Sequence, residues 1–207
     1  MKPKFIITIG REFGSGGREI GEVVATKLGI DFYDKKLIEL ASKKSGINKE
    51  LFENVDESKS FSLIGNLFGL RTSPVGNVSS GCFLSNETLF NIQSDVIREI
   101  ASKGSALFVG RCADYVLEEY DSCFNIFITA DKEAKIERVC SRTGLDSEKA
   151  TVLIEKVDKK RASYYNYFSN KVWGEIHSYD MSINSSLLGI KGTAALIVKL
   201  VKEQIKL

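Results

Sequence analysis

The chain has 207 residues, with 29 Lys and Arg against 27 Asp and Glu, a net formal charge of +2, and 43% hydrophobic and 27% charged residues. That profile excludes disorder and collagen-like repeats. A chain of this length buries roughly 70% of its unfolded surface, so one soluble domain needs neither disulfides nor a structural metal. Near-neutrality also argues against a nucleic-acid backbone as the main partner.

Residues 4–9 form a β-branched run, and Gly10-Arg11-Glu12-Phe13-Gly14-Ser15-Gly16-Gly17-Arg18 follows as a loop of small residues and breakers. Ile20, Val23, Val24 and Leu28 recur at helical spacing and stop at Gly29, so the opening unit is strand, glycine loop, helix. Residues 30–33 predict a second strand, and Leu37, Ile38 and Ala41 a helix ending near Gly46. Residues 49–86, rich in Ser, Asn and Gly and holding Pro74, read as an inserted, partly helical segment. A long helix carries Leu89, Ile92, Val96, Ile97 and Ile100 on one side and closes at Gly104. Strands are predicted at 106–109, 123–129 and 181–184, and helices near 112–120, 131–142, 146–168 and 191–205. Strand–helix alternation with apolar strands predicts an α/β fold: a three-layer parallel sheet with helices on both faces.

Cys82, Cys112, Cys123 and Cys140 contain no Cys-x-x-Cys pair and His177 is the one histidine, so no zinc site is expected. The cysteines read as reduced thiols of a cytoplasmic protein, and His177 as structural. The N-terminal apolar run, Phe5 to Ile9, is too short for a signal-peptide core or a membrane span, and no membrane partner is expected.

A glycine loop between a buried strand and a helix lets backbone N–H groups converge on an anion at the positive end of the helix dipole. Phosphate is the expected ligand. In the pattern G-x-x-x-x-G-K-[ST], the register ending on Gly16 places Arg11 at the first glycine, Gly17 at the lysine and Arg18 at the hydroxyl. Three readings fit this stretch: a degenerate phosphate loop, a dinucleotide fingerprint and a structural turn. The dinucleotide reading draws on Gly14-x-Gly16 followed by Asp34 after the second strand, but Glu19 stands at its third glycine.

Five features in order resemble nucleoside monophosphate kinases, most closely the cytidylate kinases and their cytidylate kinase-like relatives. They are Gly14-Ser15-Gly16; Phe32-Tyr33-Asp34; Val109-Gly110-Arg111; Ile126 to Ala130 leading to a helix with Arg138 and Arg142; and Asp158-Lys159-Lys160-Arg161. Taken singly, Arg111 reads as a surface arginine, and Asp158 with Arg161 as a surface ion pair three residues apart on a helix. The resemblance implies a phosphate-loop kinase fold in a single domain, with residues 49–86 binding the acceptor and 142–175 forming a lid. It implies that Gly14, Ser15, Gly16, Gly17, Arg18 and Arg138 hold the donor, and that Asp34, Arg111, Asp158 and Arg161 bind the acceptor. Arg18, Arg142 and Arg161 are the implied catalytic cations.

ATP with Mg2+ is then the implied donor and a nucleoside monophosphate, CMP-like, the implied acceptor. Two further readings stay open: a non-catalytic nucleotide sensor, and a kinase for another small acceptor. Magnesium ligands are not identifiable, since Arg18 replaces the usual hydroxyl and Val109 stands where related kinases carry an acid, with Glu19 the nearest replacement. The net charge conceals local excesses. Residues 156–171 hold five Lys and Arg against one acid, and residues 113–121 hold four acids and no base.

Overall fold

The computed structural model describes residues 4–49, 52 and 85–205. The inserted segment anticipated at 49–86, including its helical stretch and Cys82, lies almost wholly outside the described residues.

Five strands form one sheet in the order β2-β3-β1-β4-β5. They are β1 (Ile6–Arg11), β2 (Asp31–Tyr33), β3 (Ala106–Val109), β4 (Cys123–Thr129) and β5 (Met181–Asn184). All pairings are parallel, with Ile9 opposite Val109 of β3 and Ile126 of β4. The anticipated three-layer α/β architecture is what forms. Side chains alternate along each strand, so β1 sends Ile6 to one face and Ile7 and Ile9 to the other.

On the first face, Ile6, Ala106 and Phe108 pack against α2 (Lys36–Ser45) and α3 (Asn86–Lys103) through Leu37, Ile38, Ala41, Val96 and Ile97. On the second, Ile7, Ile9, Leu107, Ile126 and Ile128 meet α1 (Gly17–Leu28) and α7 (Gly189–Gln204) through Ile20, Val24, Ala194 and Ile197. Each such fully buried aliphatic side chain contributes about 1.5–3 kcal/mol. The apolar helix positions read from sequence are the ones buried, because a helix beside a sheet has one stripe to hide.

Local chemistry sets the helix ends. Ser85 caps α3 by accepting the Thr88 N–H at 3.2 Å, and Gly29 ends α1 in the left-handed region at φ 65°. The helix expected over 112–120 shrinks to α4 (Ala113–Val116). Arg111 and Cys112 precede it at φ 66° and 53°, and Glu118, Glu119 and Asp121 would crowd the negative end of a longer helix. Two further helices, α5 (Lys132–Thr143) and α6 (Ser147–Ser169), form an antiparallel arm joined at Gly144. Val139, Ala150 and Ile154 pack between them, with Phe13 of the glycine loop against the cluster.

No helix among the described residues is long and apolar enough to cross a membrane. Cys112, Cys123 and Cys140 are not disulfide-bonded, and burial pushes the Cys123 thiol up to about 12. The anticipated role of these cysteines as small packing residues agrees with that environment.

Candidate active site

β1 lies between β3 and β4, so the chain leaving β1 and the chain leaving β3 diverge to opposite sides. The carboxyl ends of these strands frame a crevice, the usual ligand position in an open parallel sheet. Arg11 ends β1, and Asp34, Arg111 and Ala130 follow β2, β3 and β4, so the parallel sheet brings all four to its carboxyl side.

The loop between β1 and α1 is tightly determined. The Ser15 hydroxyl donates to the Glu12 carbonyl at 2.8 Å and accepts the Gly17 N–H at 3.3 Å. Gly16, at φ 77°, is the residue before α1, and a Cβ there would lie 2.8 Å from Ile190 Cδ1. At Gly17 a Cβ would lie 2.6 Å from Arg11 Cβ. Two loop carbonyls are fixed from outside. Arg138 donates to Gly14 O at 3.0 Å, and the Ser185 hydroxyl donates to Ser15 O at 2.6 Å. With those oxygens held outward, the start of α1 can offer N–H groups to an anion.

The arm of α5 and α6 reaches the same loop. Asp158 accepts the Phe13 N–H at 2.7 Å, and Arg161 donates to Arg11 O at 3.1 Å. Arg161 also lies 3.7 Å from Asp158. The guanidiniums of Arg142 and Arg161 sit 4.8 and 5.6 Å from the Phe13 ring centroid. Lys135, one turn before Arg138, bonds Glu12 at 2.9 Å. Burial lifts the Asp158 carboxyl to about 6, outweighing the opposing pull of the Phe13 N–H and Arg161.

Beyond the loop, Arg11, Arg111, Arg161, Tyr164 and Asp114 line one narrow cavity of about 20 Å³. Arg11 and Arg111 are 9% and 4% exposed. Burial brings the Arg111 guanidinium down to about 10, with Arg11 and Arg161 pushing the same way and Tyr164 and Asp34 opposing them. Opposite these cations, the Tyr165 hydroxyl donates to Asp114 at 2.6 Å. Burial raises that carboxyl above its ordinary range. The charges of Arg11 and Arg161 act repulsively on Arg111, and a multivalent anion among them would relieve that repulsion. A larger cavity, about 620 Å³, opens at the first residues of β2 and β3, beside Asp31 and Ala106. It lies at the opposite edge of the sheet from the glycine loop.

The residues expected from sequence divide into groups. Gly14, Ser15, Gly16 and Gly17 form the loop; Arg138, Arg142, Asp158 and Arg161 come to it from the arm; Arg111 joins Arg161 in the cavity. Arg18 goes elsewhere. It bonds Asp34 at 2.7 Å and Glu22 at 3.2 Å and lies 5.7 Å from the Phe32 ring centroid. Asp34 is thus engaged by Arg18 at the end of β2. Arg11, the Glu12–Lys135 pair and Asp114 escape the sequence reading. Lys135 carries a signal in sequence, its three-residue spacing from Arg138 on one helix; Asp114, in the short helix α4 after β3, carries none. Among the described residues no three His, Cys, Asp or Glu side chains gather in a metal-holding group.

Comparisons with known proteins follow this geometry. The model of the cytidylate kinase-like family matches residues 6–187. A crystal structure of an uncharacterized protein from Eubacterium ventriosum aligns at 26% identity and TM-score 0.71, covering 96% of this chain and 99% of that one. Shikimate kinase from Bacteroides thetaiotaomicron aligns at 13% identity and TM-score 0.55, covering 99% of this chain and 100% of that one. Shikimate kinase from Acinetobacter baumannii, in complex with shikimate, aligns at 15% identity and TM-score 0.51, with 97% and 94% covered. No curated protein matches. The fold is that of the phosphate-loop kinases.

Proposed function

We propose that this chain, which belongs to the cytidylate kinase-like family, transfers the γ-phosphoryl group of ATP to a small phosphate-bearing acceptor of the nucleoside monophosphate class, CMP foremost. The observation carrying this reading is the convergence of Arg11, Arg111 and Arg161 on one cavity beside the glycine loop. The loop and the positive end of α1 hold the donor phosphates. Arg111 and Arg161 hold the acceptor phosphate through planar forks.

An oxygen of the acceptor phosphate forms a bond to the γ-phosphorus while the bridge to the β-phosphate breaks. ADP departs with the bonding pair, and an ionised acceptor phosphate needs no general base. Catalysis is then positioning and charge neutralisation. Magnesium would enter with ATP, held by its phosphates.

Residues 142–175 act as the lid, with Arg138 and Arg142 brought to the donor phosphates as the arm closes and excludes water. Residues 49–86 shape acceptor choice. A cytoplasmic setting fits this use of ATP.

Incubating the purified chain with Mg-ATP and each nucleoside monophosphate, with shikimate as a hydroxyl acceptor that carries a carboxylate, tests the reading. A nucleoside diphosphate appearing at about 1 s⁻¹ or faster supports it. Phosphorylated shikimate would move the acceptor to the hydroxy-acid class. Thermal stabilisation by ATP without product from any acceptor would favour a nucleotide sensor, the reading that the glycine at the lysine position supports.

A further inference from the structure

We propose that Arg11 replaces the lysine that the phosphate-loop pattern places at position 17, the two positions having exchanged a glycine for a long cationic side chain. The inference rests on the donor phosphates lying on the glycine loop. In the pattern, position 11 is glycine and position 17 lysine; here position 11 is arginine and position 17 glycine.

The exchange has a steric basis. A Cβ on Gly17 would meet Arg11 Cβ at 2.6 Å, Arg11 Cγ at 3.2 Å and Ile128 Cβ at 3.4 Å. Only one of the two residues can carry a stem. Here the stem starts from the last residue of β1, in register with Ile128 of β4, and its carbonyl is held by Arg161 at 3.1 Å. Arg11 lines the cavity shared with Arg111 and Arg161, and its charge acts on the Arg111 guanidinium. A cation delivered along that path stands between the donor loop and the acceptor arginines, where the transferred phosphoryl group crosses. A guanidinium can contact the moving group and a flanking oxygen together, which an ammonium cannot do in one plane. Arg18 is held by Asp34 and Glu22 and does not fill this role.

The test is a reciprocal exchange measured on the full chain. ATP-induced thermal stabilisation of the wild type comes first; its absence would remove the donor-site reading and this proposal with it. With that stabilisation present, Arg11→Met is expected not to lower the unliganded melting temperature, since it removes a charge that repels Arg111, and to lower turnover by about 10²- to 10³-fold. Gly17→Lys is expected to lower the melting temperature, because its stem collides with that of Arg11. The double variant Arg11→Gly with Gly17→Lys should recover both properties, with turnover within about tenfold of wild type. Independent losses would instead multiply. An Arg11→Met variant within about threefold of wild type would overturn the exchange. So would a double variant as poor as the product of its single substitutions. Either result leaves the donor-site reading standing, because wild-type ATP binding is measured separately.

Discussion

Arg111→Met is expected to stabilise the unliganded protein while removing acceptor binding. The guanidinium is 4% exposed, so solvent screens it little. Its fall to about 10 corresponds to a few kcal/mol of lost preference for the charged form. Burial is the main cause, and Arg11 and Arg161 add to it. At neutral pH the group stays charged, so this cost is carried in full without a ligand. Methionine keeps most of the stem, meets the left-handed backbone at φ 66° with the same strain, and drops the charge. An apolar group of similar volume adds stability where it leaves no buried partner uncompensated, and the desolvation relieved here sets a scale of a few kcal/mol. For a chain of this length each kcal/mol moves the melting temperature by about 2–4 °C. The expected rise is therefore up to about 10 °C, measured by thermal denaturation at pH 7 without nucleotide. Acceptor affinity, measured by titration with saturating ATP analogue, should fall by at least about 30-fold, the loss of a charge-assisted bidentate contact. A variant that melts several degrees lower and binds acceptor normally would refute the reasoning, since Arg111 would then be a structural strut.

Gly16→Ala and Gly29→Ala each force a side chain into the left-handed region, at φ 77° and 65°, costing about 1–2 kcal/mol apiece. Both should lower the urea midpoint, but only Gly16→Ala, which also crowds Ile190 at the loop, should blunt ATP-induced stabilisation. Asp158 gives a pH signature. Its carboxyl titrates near 6 in the folded chain, so the native state keeps a proton that the unfolded chain releases near pH ~4. Its contribution to stability is therefore fully present below that pH and is lost as the pH rises through about 6. The melting temperature of wild type minus that of Asp158→Asn should fall between pH 4 and 7, and a difference flat across that range would remove the explanation. Phe13→Ala takes the ring from between Arg142 and Arg161, each such contact contributing about 0.5–2 kcal/mol. Proteolysis of the α5–α6 arm should quicken in that variant, and an unchanged cleavage rate would show that the ring does not hold the arm.

The layered fold was legible because its signals are local and redundant. Ile6, Ile7 and Ile9 announce a buried strand, and Ile20 with Val24 the stripe of α1. Gly29 and Gly46 mark helix ends that the left-handed backbone confirms, while Gly104 closes α3 in extended backbone. The candidate site was legible only as a set of motifs, because what unites its residues is the sheet register. Nothing local in Gly110-Arg111-Cys112 says that Arg111 is nearly buried beside two other arginines. Conversely Arg18, adjacent to the loop in sequence, is claimed by Asp34 sixteen residues on, a partner that depends on β2 pairing with β3. The helix foreseen at 112–120 failed for a related reason: apolar spacing outlined it, but the acidic run at 118–121 works against its carboxyl end.

Cations around the loop come from several places in the chain: Arg11 from β1, Lys135, Arg138 and Arg142 from α5, and Arg161 from α6. A lysine inside the loop would bring its charge with the first turn of α1, formed as soon as that turn forms. Here Arg138 reaches Gly14 across 124 residues and Arg161 reaches Arg11 across 150. If the glycine loop takes the donor phosphates, its set of cations is complete only with the arm docked, and Phe13 contributes to that docking through its N–H to Asp158 and its ring to Arg142 and Arg161. Loop geometry and arm closure become one equilibrium. An anion that binds better with the arm closed must shift the arm by as much as that difference in affinity, and no more. On the proposed reading, a loop that takes most of its cations from the arm couples phosphate binding to arm closure, which a loop carrying its own lysine would do only weakly.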